Sequence, residues 1–123
     1  MEKSKSFEDL LVWQKGHQFV LEVYKITKQF PEDEIYGLTS QFRRAAVSIT
    51  ANIAEGYKRL SNKEKLRFYN IAQASLEECK YFLILSRDLE YTNKFKELNE
   101  LINEVSKMLN AYCRSIANKN NYS

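Results

Sequence analysis

Apolar residues recur at alternating intervals of three and four along residues 95–116, and this pattern constrains the fold more than any other feature. Such spacing keeps the apolar side chains on one face of an α-helix and leaves the opposite face to solvent. Thr92 supplies a hydroxyl for an N-cap, so the pattern predicts a helix over residues 93–117. The stripe consists of Phe95, Leu98, Ile102, Val105, Leu109, Tyr112 and Ile116.

A similar stripe lies near the start of the chain and predicts a first helix over residues 8–30. Ser6, with Asp9 three residues later, is suited to capping its start. Pro31 marks its end, because proline disfavours helical geometry in the residue before it. The apolar positions are Val12, Gly16, Phe19, Val23, Ile26 and Phe30.

Two more stripes lie between these. The first predicts a helix over residues 37–58, with Gly56 as a terminator or a kink. The second follows a capping box formed by Ser61 and Glu64 and predicts a helix over residues 62–89. The apolar positions are Leu38, Phe42, Ala45, Ile49 and Ile53 in the one, and Leu66, Tyr69, Ala72, Leu76 and Leu83 in the other.

The chain is poor in the residues that tight turns require. It has three glycines and one proline among 123 residues, which argues against a fold built from β-hairpins. Four amphipathic helices joined by short loops indicate an all-α protein, an antiparallel up-down four-helix bundle. A chain of this length is typical of one domain, here residues 1–123.

Composition narrows the environment that we expect. Hydrophobic residues make up 44% of the chain and charged residues 28%, as in ordinary globular proteins, and the net charge is +3. No segment resembles a membrane span or a secretory signal, so we expect a cytoplasmic protein that does not bind membranes. Cys79 and Cys113 form no C-x-x-C pair, which suits two reduced thiols.

Long uncharged runs in the second and third helices indicate a further buried surface. No residue between Arg44 and Glu55 is charged, and the same holds for residues 68–76. A helix that faces solvent normally keeps a charged side, so we expect copies of the chain to associate here. Alternatively, the Ser, Thr, Asn and Gln side chains supply enough polarity for solvent. The candidate interface residues are Ala46, Val47, Thr50, Ala54, Tyr69 and Gln73.

The sequence offers no assembled catalytic or metal site. His17 is the only histidine, and a carboxylate-bridged metal bundle would need Glu-x-x-His pairs. His17 lies beside Trp13 and Val20 on the helical stripe, which favours a core or boundary imidazole over a ligand. There is no phosphate-binding loop and no nucleophile with an evident base. We therefore expect a protein that is not an enzyme and uses no metal or cofactor.

A cluster of cations surrounds the turn between the second and third helices, with Glu64 as the one acid within it. These cations are candidates for binding the phosphates of RNA, and the guanidinium groups of Arg43 and Arg44 extend the set. Alternatively, the charges solvate a loop and pair with nearby acids. The cluster consists of Lys58, Arg59, Lys63, Lys65 and Arg67.

At many positions along most of the chain, the residues resemble those of a known protein family. They are Phe7, Leu10, Val12, Trp13, Phe30-Pro31, Gly37-Leu38, Gln41, Arg43-Arg44-Ala45, Ser48, Asn52-Ile53-Ala54-Glu55-Gly56, Ala72, Ser75, Leu76 and Glu78. The pattern looks like that of the bacterial four-helix-bundle proteins encoded by intervening sequences in 23S rRNA genes, the S23 proteins. This resemblance implies an up-down bundle and a ring-shaped homo-oligomer, a pentamer. The family has no established catalytic residues to carry over.

The family is also similar to the accessory proteins of diversity-generating retroelements, which are basic bundles that associate with a reverse transcriptase and nucleic acid. The resemblance therefore implies RNA or a nucleoprotein as a partner beside copies of the chain itself. Our reading is a non-enzymatic oligomer that binds such a partner through basic surfaces. A protein-interaction scaffold without nucleic-acid binding is the alternative.

Overall fold

Four helices make up nearly all of the structure, a computed structural model that describes the backbone of residues 4–120 and the side chains of residues 4–118. Each helix packs against the next, and the fourth packs back against the first, so the helices occupy the corners of a square. The described residues contain no strand. The predicted all-α antiparallel four-helix bundle is confirmed. The helices are α1 Leu11–Thr27, α2 Leu38–Lys58, α3 Asn62–Asp88 and α4 Phe95–Asn120.

The predicted apolar stripes meet along the axis of the bundle and form its core. Each helix contributes large side chains that are fully buried, and their removal from water is the main source of stability in such a fold. One from each helix is Phe19, Phe42, Leu76 and Leu109. Cys79 and Cys113 lie in the same core as free thiols, and burial raises the pKa of both. None of the described helices has an apolar stretch that would cross a lipid bilayer.

The first helix is shorter at both ends than the predicted 8–30. Ser6 and Asp9 do form a capping box, but it caps a short 3-10 turn, Phe7–Asp9, rather than the α-helix. Leu10 then takes an extended conformation, with φ −76° and ψ 125°, so that α1 begins at the next residue, Leu11. At the other end, the amides of Gln29 and Phe30 bond three residues back, which tightens the last turn.

The start of α3 is also capped differently from the prediction. The Ser61 hydroxyl accepts a hydrogen bond from the Glu64 amide at 3.1 Å, as a capping box requires. The Glu64 carboxylate, however, bonds the guanidinium of Arg67 instead of returning to the cap residue. The capping box is therefore half formed. In the same way, the hydroxyl of Thr92 bonds the amide of Lys94, and α4 begins three residues after Thr92 rather than directly behind it.

The acidic link between α1 and α2 ties one end of the bundle together. Its Glu34 carboxylate accepts a hydrogen bond from the Leu38 amide at 3.2 Å, which caps the start of α2. The other carboxylate oxygen accepts the hydroxyl of Tyr91, from the loop between α3 and α4, at 2.9 Å. This bond to a charged acceptor raises the pKa of Tyr91. The Tyr91 ring also packs on Phe30, with 5.2 Å between centroids.

At the opposite end, α2 and α3 approach each other closely where Gly56 faces Tyr69. A Cβ atom placed on Gly56 would lie 2.6 Å from Cε1 of the tyrosine ring. Tyr69 is fully buried, and its ring also packs against Tyr112 of α4, with 5.2 Å between centroids. The ring is therefore held against bare backbone, and glycine is required at position 56 for this spacing of the helices.

We predict that Gly56→Ala destabilises the protein by about 1–3 kcal/mol, because overpacking outweighs the gain in helix propensity. Gly16→Ala is the matched control: its Cβ would meet a Thr50 methyl group at 3.1 Å, a contact that a small shift relieves. Urea unfolding of both variants measures the two free energies of unfolding. An alanine at position 56 that left the unfolding midpoint unchanged would contradict this account of the close approach.

Candidate functional site

The turn between α2 and α3 gathers the predicted cations at one end of the bundle, here called the basic end and defined by Lys58, Arg59, Lys63, Lys65 and Arg67. Arg59 leaves the helix in an extended conformation, with φ −67° and ψ 146°. Ser61 caps the next helix two residues later. The intervening Leu60 is fully exposed, so the turn projects beyond the core. All five cations thus belong to a single tight connection.

Lys65 is committed to the fold rather than to solvent. Its ammonium group donates hydrogen bonds to the carbonyl oxygens of Tyr57 at 2.6 Å and Gly56 at 3.3 Å. These are among the last carbonyls of α2, which have no partner within the helix and carry the negative end of its dipole. Partial burial lowers the pKa of Lys65. The Lys65 side chain therefore caps the C-terminal end of α2, and its ammonium group is not free to bind phosphate.

Arg59 and Arg67 lie on the ring of Phe68. Their guanidinium carbons are 4.4 Å and 4.7 Å from the ring centroid, which is cation–π geometry. Each also pairs with an acid on its own side of the turn, Arg59 with Glu55 at 2.9 Å and Arg67 with Glu64 at 3.2 Å. Such exposed pairs contribute about 0–1 kcal/mol each, so a phosphate can displace the acid at little cost. The aromatic ring keeps both forks in place.

The remaining two cations of the basic end are Lys58 and Lys63. Both side chains are exposed, and neither has an ion-pair partner within 4.0 Å in the part of the chain whose side chains are described. The pKa of Glu64 is lowered, first by its hydrogen bond from Arg67 and then by the charges of Arg67, Arg59 and Lys63. Three cations thus act on one carboxylate, which makes the basic end a compact positive surface.

Arg43 and Arg44 do not extend this surface. They precede Lys58 by about four turns of helix, which is roughly 20 Å. Arg43 bonds the Thr27 hydroxyl at 2.8 Å and lies over the ring of Tyr24 at 4.6 Å, so it joins α2 to α1. Arg44 is exposed, on the side of α2 that borders α3. The predicted set of seven cations is therefore divided between separate places.

Half of the predicted interface residues lie inside the subunit. Ala46 and Tyr69 are fully buried and Thr50 is 8% exposed, because they face neighbouring helices of the same chain. Gln73 faces α4, where its amide bonds Asn110 at 2.8 Å. Ala46, Thr50 and Tyr69 therefore present little surface to a second copy, and the predicted interface stays a prediction that depends on the other three residues. Val47 alone is well exposed, at 39%, and Ala54 is half-buried.

On the side of α2 that faces outward, the predicted interface includes only Val47. This side carries Ser40, Arg44, Val47, Ser48 and Ala51, which we call the α2 outer face. The signal was present in the sequence, since this face is the stretch without acids that lies opposite the core stripe. Its surface is shallow and consists mainly of small side chains. At the border of this face with α3, the Ser75 hydroxyl donates a hydrogen bond to the Ser48 hydroxyl, with 2.8 Å between the two Oγ atoms.

A second outward surface lies on α3. Three large apolar side chains protrude from it: Ile71 is 42% exposed, Tyr81 58% and Ile84 40%. With Ala74 and Glu78 they form what we call the α3 outer face. Large exposed apolar patches mark contact surfaces, so this face is a candidate for one. The uncharged run from Phe68 to Leu76 predicted only its first half.

The residues that a metal site would need do not come together in the described part of the chain. Within it, no three His, Cys, Asp or Glu side chains are placed to hold a metal ion. His17 is exposed and stacks on Trp13, with 5.0 Å between centroids and 8° between planes, so the expected core or boundary position is wrong.

Comparison with known proteins agrees with the fold. Residues 8–111 match the family model described as "23S rRNA-intervening sequence protein". Among solved structures, the chain is similar to a protein of unknown function from the S23 ribosomal protein family of Bacteroides thetaiotaomicron, with 24% identity and a TM-score of 0.78. That match covers 85% of this chain and 96% of the other, and at this identity it shows the shared fold alone. No curated protein matches the chain.

The role of Lys65 gives a test by stability. Replacing it with methionine keeps the stem but removes the charged donor. The Tyr57 carbonyl then loses its partner while the Gly56 carbonyl keeps the Arg59 amide, so we expect a loss of about 1–2 kcal/mol. Lys63→Met at an exposed neighbouring position is the control and should change the free energy of unfolding by less than about 0.5 kcal/mol. Chemical denaturation of both variants decides it, and equal stabilities would contradict the role given to Lys65.

Proposed function

The chain belongs to the 23S rRNA-intervening sequence protein family, and we propose that it is a non-catalytic protein that binds RNA through its phosphates and acts as a homo-oligomer. The family name states no activity, and the related solved structure is of unknown function. The proposal therefore depends on the charge and geometry of this chain.

The observation that carries the proposal is the pair of guanidinium groups held over Phe68 with two free lysines beside them. Guanidinium forks match phosphate oxygens in two hydrogen bonds, and lysines add charge without fixing a geometry. Because Arg59 and Arg67 are already oriented, little conformational entropy is lost when a phosphate replaces Glu55 or Glu64. Both acids are exposed, so they can turn toward solvent at small cost.

One basic end is a weak site by itself. It offers four usable cations, since Lys65 is committed to α2, and backbone contacts of this kind bind RNA without reading its sequence. Several copies in one assembly would bind the same strand together, which raises the avidity without any new contact. This is why oligomerisation is part of the proposal, with the five-subunit cytoplasmic ring implied by the family resemblance as its form. RNA within a nucleoprotein would be held in the same way.

A protein-interaction scaffold is the second candidate, and the α2 outer face favours it. Val47 and Ala51 are exposed there, and Ile35 is 51% exposed beside them, so apolar surface is open to a protein partner. A scaffold of this kind would assemble through the same face yet have no affinity for RNA. The two candidates therefore differ in one measurable property, the affinity of the protein for RNA.

We predict that binding to a single-stranded RNA of mixed sequence weakens steeply with salt. Four phosphate contacts give a slope of log K against log salt of about −3 for each contacting subunit. Replacing Lys58 and Lys63 with glutamine removes two contacts, so this slope should become shallower by about 1.4 and the affinity should fall. Fluorescence anisotropy across a salt series measures both quantities.

The matched control is Lys28→Gln with Lys96→Gln, which removes the same charge from exposed lysines near the opposite end of the bundle. These variants should keep the slope of the natural protein. Equal effects from both pairs would mean that net charge alone is responsible, which contradicts a site at the basic end. No binding by the natural protein at low salt would favour the scaffold.

A further inference from the structure

Leu60 is the most exposed large apolar side chain of the described residues, and it lies at the tip of the basic end. Its exposed fraction is 101%, so no other part of the subunit covers it. The other exposed leucines, Leu11, Leu21 and Leu89, are between 44% and 57% exposed because neighbouring side chains cover the rest. The folded subunit therefore buries none of the apolar surface of Leu60.

The cations proposed to bind phosphate lie on both sides of this leucine. Arg59 precedes it directly in the turn, and Arg67 reaches the same Phe68 ring from α3. Because both guanidinium groups are held on one ring, they suit phosphates from one short stretch of a strand. Leu60 projects from the same turn, so the chain that passes over these arginines also passes close to an apolar side chain.

Leu60 is also the apolar group that the basic end leaves open to a nucleobase. Proteins that hold nucleic acid strands without reading their sequence commonly stack the bases on aromatic rings. The Phe68 ring is half-buried, and two guanidinium groups already lie over it. The Tyr57 ring is half-buried as well, with the Lys65 ammonium 5.5 Å from its centroid. Neither ring thus offers a free face, whereas Leu60 does.

Paired and unpaired RNA differ in what they present beside their phosphates. In an A-form duplex the bases are stacked on one another, the major groove is too deep and narrow for side chains, and the minor groove displays hydroxyl groups. In an unpaired strand the faces of the bases can turn toward a protein. A leucine among phosphate-binding cations therefore finds an apolar partner on unpaired RNA and not on a duplex.

We propose that Leu60 contacts a base of unpaired RNA while Arg59 and Arg67 bind the adjacent phosphates, so that the basic end favours unpaired over duplex RNA. The inference rests on the proposed function and names the class of RNA that this site takes. The contact reads no base sequence, because every base has a face. It is separate from the charge of the site, since Leu60 contributes none.

Leu60→Ser removes the apolar contact and leaves every charge in place. We expect the affinity for a single-stranded RNA of mixed sequence to fall roughly fivefold, as the loss of about half of the burial of one leucine would give. The slope of log K against log salt should not change, because no phosphate contact is lost. Affinities for a duplex and for an abasic strand of the same length should stay as they were. Fluorescence anisotropy with the three RNAs across a salt series measures all of these.

Two further variants accompany this one. Leu60→Phe should raise the affinity for the single strand and not for the abasic strand, since a ring stacks on a base. Leu89→Ser is the matched control, because Leu89 is exposed just after α3, at the opposite end of the bundle, and all three affinities should remain those of the natural protein. Urea unfolding checks that the variants keep the stability of the fold.

The other outcomes are equally definite. If the natural protein binds the single strand and Leu60→Ser binds it equally well, the inference is wrong and phosphate binding stands. The inference is also wrong if Leu60→Ser weakens binding to the abasic strand as much as to the single strand, because no base is then involved. If the natural protein binds none of the three RNAs at low salt, the proposed function fails and the inference with it. Binding to phosphatidylglycerol vesicles that Leu60→Ser abolishes, without any affinity for RNA, would place Leu60 in a lipid surface and overturn both.

Discussion

The close approach of α2 and α3 at Gly56 and Tyr69 is the contact on which the rest of this end of the molecule depends. Because a buried ring lies on bare backbone, the end of α2 comes near enough to α3 for Lys65 to reach its last carbonyls. The turn is then short and projecting, and it brings Arg59 and Arg67 onto the same aromatic ring. A larger residue at position 56 would move apart the groups that we propose bind phosphate.

Much of the fold could be predicted from periodicity, because burial along a bundle repeats with the helix. The stripe from Leu98 to Ile116 specifies which side of α4 meets its neighbours without any knowledge of them. The ends of helices were less predictable. Nothing in the residue types indicates that the backbone of Leu10 is extended, or that the Glu64 carboxylate bonds Arg67 instead of the Ser61 amide. Such choices depend on side chains that only the folded structure brings within reach.

The proposed binding surfaces were predictable as regions and not as residues. Ala46 and Ala51 are the same residue in the same uncharged run, yet Ala46 is fully buried and Ala51 is exposed. The two alanines differ in their angular position around the helix axis. The core stripe of α2 was sufficient to predict which of them faces the core. The partners of the cations could not be predicted from helical phase. The positions of the charges in the sequence do not reveal that Lys65 can reach a carbonyl while Lys63 cannot.

The two proposed surfaces complement each other in space. RNA would bind at an end of the bundle and copies would meet at its sides, so neither process blocks the other. A ring whose axis runs along the helices would place every basic end on the same rim, where weak sites act together on one strand. Assembly is thus the central claim, and the mass of the nuclease-treated natural protein, measured by light scattering during size-exclusion chromatography, tests it most directly. We predict several times the 14.5 kDa of one chain, at low and at high salt alike. A mass of 14.5 kDa at every protein concentration would contradict the account.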